Sequence, residues 1–365
     1  MKRFASLLLA LLLLAGCSAV SEPPETPPSP SGAEETPPGR PWDPPSPSPP
    51  PSPKPPVVKE QYVMDDSFPR LRNPNATEEA QMLYNYLCGV YKSKTLTGQQ
   101  ESTWMGTPEY EMDYIFDVTG EYPAIRGLDF INNDFDGVVR RSKEWRERGG
   151  IVSICWHWGT PPDGVGYESS KGTIDLEEAL TEGSELYEGM LRQMDRAAGA
   201  LLELQEAGVP VLWRPFHEFD GAWFWWGKGG KERFIELWQL MYTYYTDVWG
   251  LNNLIWVLGF ADGTKAGWYP GDDYVDIAAG DSYQGGTQSK MYGRLVKIFG
   301  EERPVAFHEC GVIPDLEKAF AEGGYWSWFL TWHTNYIKDN NTKEHLQYIY
   351  TNDRAVTLDK LPKFQ

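Results

Sequence analysis

Short apolar runs alternate with longer amphipathic segments from residue 77 almost to the end of the chain. Eight runs are rich in β-branched or aromatic residues, which is typical of buried strands. They are Thr95–Gln100, Pro123–Phe130, Gly150–Trp158, Pro210–Glu218, Leu254–Phe260, Tyr274–Tyr283, Pro304–Glu309 and Tyr325–Trp332. Spacings of three and four predict helices over Asn133–Arg148, Leu176–Ala207, Lys231–Val248 and Gln288–Phe299. This alternation predicts an α/β protein, a (β/α)8 TIM barrel.

A doubly wound open sheet is the competing interpretation of the same alternation. The glycine fingerprint GxGxxG, which binds dinucleotides in many such sheets, does not follow the first predicted strand. The barrel is therefore favoured.

The first 16 residues have the pattern of an export signal. Lys2 and Arg3 precede an almost wholly apolar stretch, which is too short to serve dependably as a membrane span. The run Leu14-Ala15-Gly16-Cys17 resembles the lipobox of bacterial lipoproteins, in which the Cys becomes the lipidated first residue. We expect an exported protein, anchored through Cys17 at the bacterial cell surface. The alternative is an ordinary signal peptide that ends in Cys.

A proline-rich segment follows Cys17. Residues 18–56 contain 17 Pro among 39 positions, which favours extended polyproline II and cannot supply a core. We therefore divide the chain into a signal peptide (1–16), a lipid-anchored Cys with its linker (17–56), and a catalytic domain (57–365).

Composition narrows the possible partners. Of the 365 residues, 41% are hydrophobic, which excludes a disordered protein, and the net charge of −19 argues against nucleic acid or an anionic membrane as the main partner. Membrane contact is expected only through the lipid. The 16 Trp favour neutral ligands with flat faces, and sugars fit that description. We expect a monomer.

The remaining cysteines suggest no metal chemistry. Cys88, Cys155 and Cys310 are odd in number and lack CxxC spacing. We expect buried free thiols, although an exported protein can pair two of them. No cofactor and no metal are expected.

Four of the five histidines and two glutamates lie at or just past predicted strand ends, where barrel enzymes place their catalytic groups. The histidines are His157, His217, His308 and His333, and the glutamates are Glu218 and Glu309. Either glutamate alone can be a structural ion-pair partner. Side-chain alternation places Leu212, Arg214, Phe216 and Glu218 on one face of the fourth strand, and Val305, Phe307 and Glu309 on one face of the seventh.

Two glutamates at opposite sides of a barrel mouth suit glycoside hydrolysis with retention. One carboxyl group protonates the leaving oxygen while the other attacks the anomeric carbon. Metal binding by the two His-Glu pairs is disfavoured, because adjacent strand residues point to opposite faces. The chain also has no HExxH helix.

Aromatic residues near the strand ends are candidate sugar contacts. The loop Gly221–Gly227 contains Trp223 and Trp226, while Trp158 and Trp332 stand at the ends of strands three and eight. Flat apolar faces stack on sugar rings, but some of these rings can equally be core.

The end of the sixth strand offers two more candidates. Tyr283 can hydrogen-bond the nucleophilic carboxylate and Asp281 can bond substrate hydroxyls, unless they belong to the core. Arg214 lies where it can orient and tune Glu218.

Over roughly residues 77–360 the chain resembles glycoside hydrolase family 26, of the retaining (β/α)8 clan. The matching residues are Trp213-Arg214-Pro215-Phe216-His217-Glu218 with Gly221 and Trp223-Phe224-Trp225-Trp226-Gly227, then Phe307-x-Glu309-x-Gly311 and Asp281-x-Tyr283. The segment His157-Trp158-Gly159 is similar to the family's strand-three region. His217 takes the place where many relatives in the clan carry Asn.

The resemblance implies Glu218 as acid/base, Glu309 as nucleophile and Tyr283 as the partner that orients the nucleophile. From their positions at the strand ends we expect substrate binding around His157, Trp158, Arg214, His217, Trp223, Trp226, Asp281 and Trp332. The expected activity is an endo-β-1,4-mannanase acting on β-mannan-type polysaccharide. Mixed-linkage glucan, xylan and a non-catalytic sugar-binding lipoprotein stay open as alternatives.

Overall fold

The computed structural model describes residues 59–364, so the predicted signal peptide, Cys17 and the linker lie outside the described residues. The strands are β1 Thr95–Gln100, β2 Ile125–Asp129, β3 Ile151–Cys155, β4 Val211–Arg214, β5 Leu254–Phe260, β6 Ile277–Ser282, β7 Val305–Cys310, β8 Trp328–Thr331 and β9 Ala355–Val356. The helices are α1 Glu78–Val90, α2 Tyr110–Thr119, α3 Phe135–Glu147, α4 Gly166–Ser170, α5 Leu176–Ala179, α6 Glu185–Glu206, α7 Trp225–Lys228, α8 Lys231–Thr243, α9 Ser289–Phe299, α10 Leu316–Ala321, α11 Tyr336–Asp339 and α12 Lys343–Thr351.

Strands β1 to β8 form a closed parallel barrel. Each strand pairs with the next, and β1 pairs with both β2 and β8, so the ring has no free edge. Residues of these strands are buried on both faces, apart from the partly exposed last residue of β2, as expected when helices cover a parallel sheet. The predicted (β/α)8 barrel is confirmed.

Observed element boundaries differ from the predicted ones mainly where the chain enters a loop. The predicted helix over 176–207 is two helices, because α5 ends at Ala179 and α6 begins only after Ser184, whose hydroxyl accepts the Tyr187 amide as an N-cap. The predicted helix over 231–248 continues past α8 as a π-helical turn, Tyr244–Val248.

The barrel is closed at its bottom, the end where the strands begin. β9 pairs with the first residues of β1, Thr95 and Leu96. Nearby, Gln61 bridges to Lys363, and the Lys59 ammonium donates to the Leu358 carbonyl at 2.8 Å. The two ends of the described chain therefore meet at the bottom face.

The barrel interior holds a small polar layer under the mouth. His308 Nε2 lies 3.2 Å from the Ser153 hydroxyl across the barrel, and its Nδ1 accepts from the Trp328 indole at 3.1 Å. Burial lowers the pKa of His308 well below its usual value, so this imidazole is neutral.

Cys88, Cys155 and Cys310 are buried and unpaired, in agreement with the expected free thiols. Within residues 59–364, no helix has both the length and the apolar character needed to cross a membrane.

Candidate active site

An open cleft of about 480 Å³ lies at the mouth of the barrel, where the strands end. It is lined by Trp104, Asp129, Ile131, His157, Tyr167, His217, Glu218, Phe224, Tyr283, Glu309, Trp332, His333 and Tyr336. The structure thus brings both predicted glutamates, Tyr283, three of the four strand-end histidines and Trp332 into one cavity.

Glu309 is directed into the mouth by an irregularity in β7. The register against β8 shifts between Phe307 and Cys310, and a bulge of this kind re-aims side chains. Phe307 packs outside the barrel against Trp326, with ring centroids 5.3 Å apart, whereas Glu309 points inward. The prediction that alternation puts Phe307 and Glu309 on one side was wrong for this reason.

One hydrogen bond and one ion pair hold the Glu309 carboxylate. The Tyr283 hydroxyl donates to Oε1 at 2.5 Å, and Arg214 Nη2 lies 3.1 Å from Oε2. Burial, reinforced by the charge of Glu309, raises the pKa of Tyr283 far above its ordinary value, so the phenol keeps its proton and acts as a donor. The predicted contact between Tyr283 and Glu309 is present in the structure.

Arg214 and Asp281 lie beneath the cleft, and Asp281 also lines the recess beside Glu218. Their side chains form an ion pair and neither has any exposed surface. The predicted contact of Arg214 with substrate is therefore corrected, because a sugar cannot reach a group that the barrel encloses. The predicted bond of Asp281 to substrate hydroxyls stays a prediction. The pair instead supports Glu309 from below, since the guanidinium contacts both carboxylates.

Glu218 reaches the cleft from a turn and not from a strand. β4 ends at Arg214, and both Phe216 and Glu218 have left-handed backbone, with φ of 50° and 53°. The alternation predicted beyond Arg214 therefore fails, and Phe216 packs outside the barrel between Trp226 and Trp238. The Glu218 amide donates to the Gly259 carbonyl at 2.8 Å, which fixes the turn against β5.

The two carboxyl groups are close and electrostatically unlike. Oxygen atoms of Glu218 and Glu309 lie within 4.8 Å of each other. Burial, followed by the negative charge of Glu309, raises the pKa of Glu218 to about 7. A carboxylic acid that keeps its proton near neutral pH can act as a general acid.

A histidine pair forms one wall of the cleft. Although burial disfavours a charged His157, the Asp129 carboxylate 2.5 Å from its Nδ1 outweighs this and raises the pKa of His157. Burial, with the charges of Arg214 and His157, lowers the pKa of His217 well below its usual value. Their Nε2 atoms are 3.2 Å apart, so one imidazole donates a hydrogen bond to the other.

The aromatic candidates divide into cleft and core. Trp223 is 43% exposed, and Trp332 lines the cleft although it is only 8% exposed. Trp158 and Trp226 are buried, at 1% and 0% exposure, and line no part of the cleft. Their predicted role in substrate binding is therefore corrected to packing under the loops.

Several cleft residues were missed by the sequence reasoning. Trp104 follows β1, Tyr167 lies in α4 after β3, and Tyr336 is the first residue of α11 after β8; each is more than a third exposed. For Trp104 and Tyr336, an aromatic residue a few positions past a strand end was the available signal. Asp129, also missed, holds His157, while Arg126 pairs with Glu101.

Two side recesses extend the cleft across the mouth. One, of about 450 Å³, adjoins Glu218 and is lined by Trp223, Lys171 and Tyr283 among others. The other, of about 200 Å³, lies beyond Trp104. Both recesses share lining residues with the cleft, an arrangement that suits an extended chain better than a single sugar.

Paired carboxylates at the mouth of a (β/α)8 barrel are typical of glycoside hydrolases. The chain belongs to glycosyl hydrolase family 26, whose model matches residues 72–360.

Comparison with individual proteins gives the same family. The chain is 36% identical over 319 residues to a mannan endo-1,4-beta-mannosidase of Thermothelomyces thermophilus, covering 81% of this chain and 64% of that protein. The chain spans about half to two thirds of the length of the first curated relatives it matches.

Two solved structures are similar throughout the barrel. One is a ruminal GH26 endo-beta-1,4-mannanase, with a TM-score of 0.75, 32% identity, and coverage of 80% of this chain and 70% of that one. The other is a beta-mannanase from a symbiotic protist of the termite Reticulitermes speratus, complexed with gluco-manno-oligosaccharide. Its TM-score is 0.74 at 32% identity, with coverage of 83% and 99%.

Proposed function

We propose that this chain is an endo-acting β-mannanase that hydrolyses β-1,4-mannosidic bonds in mannan, glucomannan or galactomannan with retention. The observation that carries the proposal is the close approach of Glu218 and Glu309, within 4.8 Å, in an open groove. Retaining enzymes need carboxyl groups about 5 Å apart, whereas inverting enzymes leave room for a water between them. The mannanase names of the relatives support the substrate class.

In the first step, Glu309 attacks the anomeric carbon while Glu218 gives its proton to the leaving glycosidic oxygen. Tyr283 and Arg214 aim the nucleophile, and the raised pKa of Glu218 keeps the acid protonated. The products are a glycosyl ester on Glu309 and a shortened polysaccharide.

In the second step, water cleaves the ester. Esterification removes the charge of Glu309, which lowers the pKa of Glu218 and lets it ionise. Glu218 then takes a proton from the water that attacks the anomeric carbon, and the configuration at that carbon is retained.

Reducing-sugar release by the purified full chain tests the proposal on a panel of mannan, glucomannan, lichenan and xylan. Mannan and glucomannan are expected to be cleaved, with a rapid fall in viscosity because cuts fall inside the chain. Preferential cleavage of lichenan or xylan would assign the barrel to a different substrate. Binding without release of sugar would favour a sugar-binding lipoprotein.

The kcat/KM for a mannooligosaccharide is expected to fall above pH 7, about tenfold for each pH unit. The sign follows from the raised pKa of Glu218, since the free enzyme needs this group protonated and loses the proton as pH rises through about 7. A pH–rate profile measures the effect. A profile that stays level two units above this pKa would contradict the assignment of Glu218 as the acid.

We also propose that the protein is exported and held at the bacterial cell surface by lipid on Cys17. The lipobox-like run Leu14–Cys17 and the proline-rich linker support this, and both lie outside the described residues. The Cys17→Ala variant is expected to remain active but to lose lipid labelling and membrane retention. Ser18→Ala serves as the matched control, and equal retention of both variants would refute the anchor.

A further inference from the structure

The turn after β4 reverses the direction of the chain, so residues that follow Glu218 lie over the Glu218 carboxyl group. Glu218 and Ala222 both have left-handed backbone, with φ of 53° and 63°, and a 3₁₀ turn, Phe219–Gly221, joins them. As a result, the side chain of Trp223 folds back over Glu218.

A buried carboxylate makes this turn rigid. Asp220 is 1% exposed and accepts the backbone amides of Ala261 and Lys265 at 2.8 and 3.0 Å. In the other direction, the Lys265 ammonium donates to the Asp220 carbonyl. The position of Trp223 is therefore set by the loop after β5 as well as by its own loop.

The polar edge of the indole contacts the carboxyl group. Trp223 Nε1 donates to Glu218 Oε2 at 2.8 Å, although 43% of Trp223 is exposed to solvent. Gly221 clears the space for this ring, because a Cβ atom at that position would lie 2.0 Å from Cη2 of Trp223. Gly221 and the turn that Asp220 holds therefore both support the hydrogen bond from Trp223 to Glu218.

We propose that Trp223 is a positioning residue that controls the protonation of Glu218, in addition to offering a face to the sugar. The inference rests on the proposed function, in which Glu218 is the acid and then the base. An indole N–H can only donate, so it binds a carboxylate more strongly than a carboxylic acid. The bond therefore favours the ionised Glu218 that the second step needs, and it opposes the burial and the Glu309 charge that favour the acid.

Several other charged and titratable groups lie near Glu218. The charged and titratable groups that face Glu218 or share its recess are Glu309 on β7, Arg214 on β4, His157, Tyr167 and Lys171 after β3, Asp262 after β5, Asp281 on β6 and Tyr283 after it. Trp223 makes no hydrogen bond to any of these within the described chain, so its effect on Glu218 can be measured separately.

A substrate-free titration tests the inference. Protein labelled with [δ-¹³C]Glu is titrated by NMR, and the Glu218 signal is assigned by its loss in Glu218→Gln. Trp223→Phe keeps an aromatic face but removes the donor, and Gly221→Ala keeps the indole but displaces it. Both variants are expected to raise the pKa of Glu218 by about half to one unit, the size of one lost hydrogen bond to a charge.

Trp104→Phe is the matched control, because Trp104 is exposed in the same cleft but contacts His333 and no carboxyl group. It should leave the pKa of Glu218 unchanged. In turnover, the basic limb of the kcat/KM profile should move to higher pH in Trp223→Phe by the same amount as in the titration. A purely stacking role would lower kcat/KM equally at every pH.

The results separate the inference from the proposed function. An unchanged pKa of Glu218 in Trp223→Phe would overturn the inference even if the wild-type protein cleaves mannan. Failure of the wild-type protein to cleave any polysaccharide would overturn the proposed function, while the titration would still report whether the indole controls the carboxyl group. If Gly221→Ala does not fold, Trp223→Phe alone decides.

Discussion

Glu309→Ala is expected to abolish turnover of every β-mannan substrate, lowering kcat by about four orders of magnitude or more, as loss of a covalent nucleophile does. Glu218, the other carboxyl group of the pair, stands on the side of the leaving group and cannot replace the attack from the opposite face. The fold should survive, because Arg214 keeps its ion pair with Asp281. Release of reducing sugar and the melting temperature are measured together.

Glu317→Ala is the control for this variant, since Glu317 is an exposed glutamate paired with Arg354 away from the mouth. Added azide should restore slow turnover in Glu309→Ala with an α-glycosyl azide, because azide then attacks from the face that the carboxylate has left. Full activity without azide would exclude Glu309 as nucleophile.

Glu218→Ala is expected to lose nearly all activity on polysaccharide but to keep appreciable first-step reactivity on aryl glycosides. Leaving groups of low pKa need no proton, so the ester on Glu309 still forms, and its hydrolysis becomes slow without a base. Rapid release of one equivalent of the phenol, followed by slow turnover, is the expected time course.

Azide distinguishes the two carboxyl groups. In Glu218→Ala it attacks the ester from the face that water would use, so the product should be a β-glycosyl azide. An α-azide from this variant would mean that the roles are reversed or that the mechanism does not retain configuration. The Glu218→Gln variant, which preserves the size of the side chain, should behave in the same way.

The sequence predicted the fold well because each of the eight buried strands appears in it as a short apolar run. The boundaries of β1 and β5 were predicted to the residue, and those of the other strands differ from the predicted ones by a few residues. The predicted strand is longer than the observed one by most residues at β4, because apolar residues continue past Arg214 although the backbone is no longer extended there.

The sequence predicted which glutamates lie in the site, but it did not predict how the neighbouring side chains are oriented. Glu218 and Glu309 share the cleft as expected, but Phe216 and Phe307 lie outside the barrel. Alternation assumes regular strands, and it fails at the left-handed residues after β4 and at the irregularity in β7. A pattern of residue types contains no signal for either backbone feature.

The tryptophans illustrate a second limit. Trp223 and Trp226 are three residues apart in one loop, yet the first is 43% exposed and the second is fully buried. The Trp226 indole is fixed by a bond of 2.8 Å to the His217 carbonyl, a contact that depends on the folded turn. Composition identifies a sugar-binding surface, and only the folded loop determines which rings form it.

The meeting of the two ends of the described residues, 59 and 364, at the bottom of the barrel has a consequence for enzyme engineering. Gln61 and Lys363 bridge on the face opposite the cleft. A fusion partner or a solid support attached beside either of these residues therefore lies away from the groove. The same proximity makes residues 59–364 a suitable scaffold for circular permutation, with a short peptide joining these two ends and new termini placed in an exposed loop.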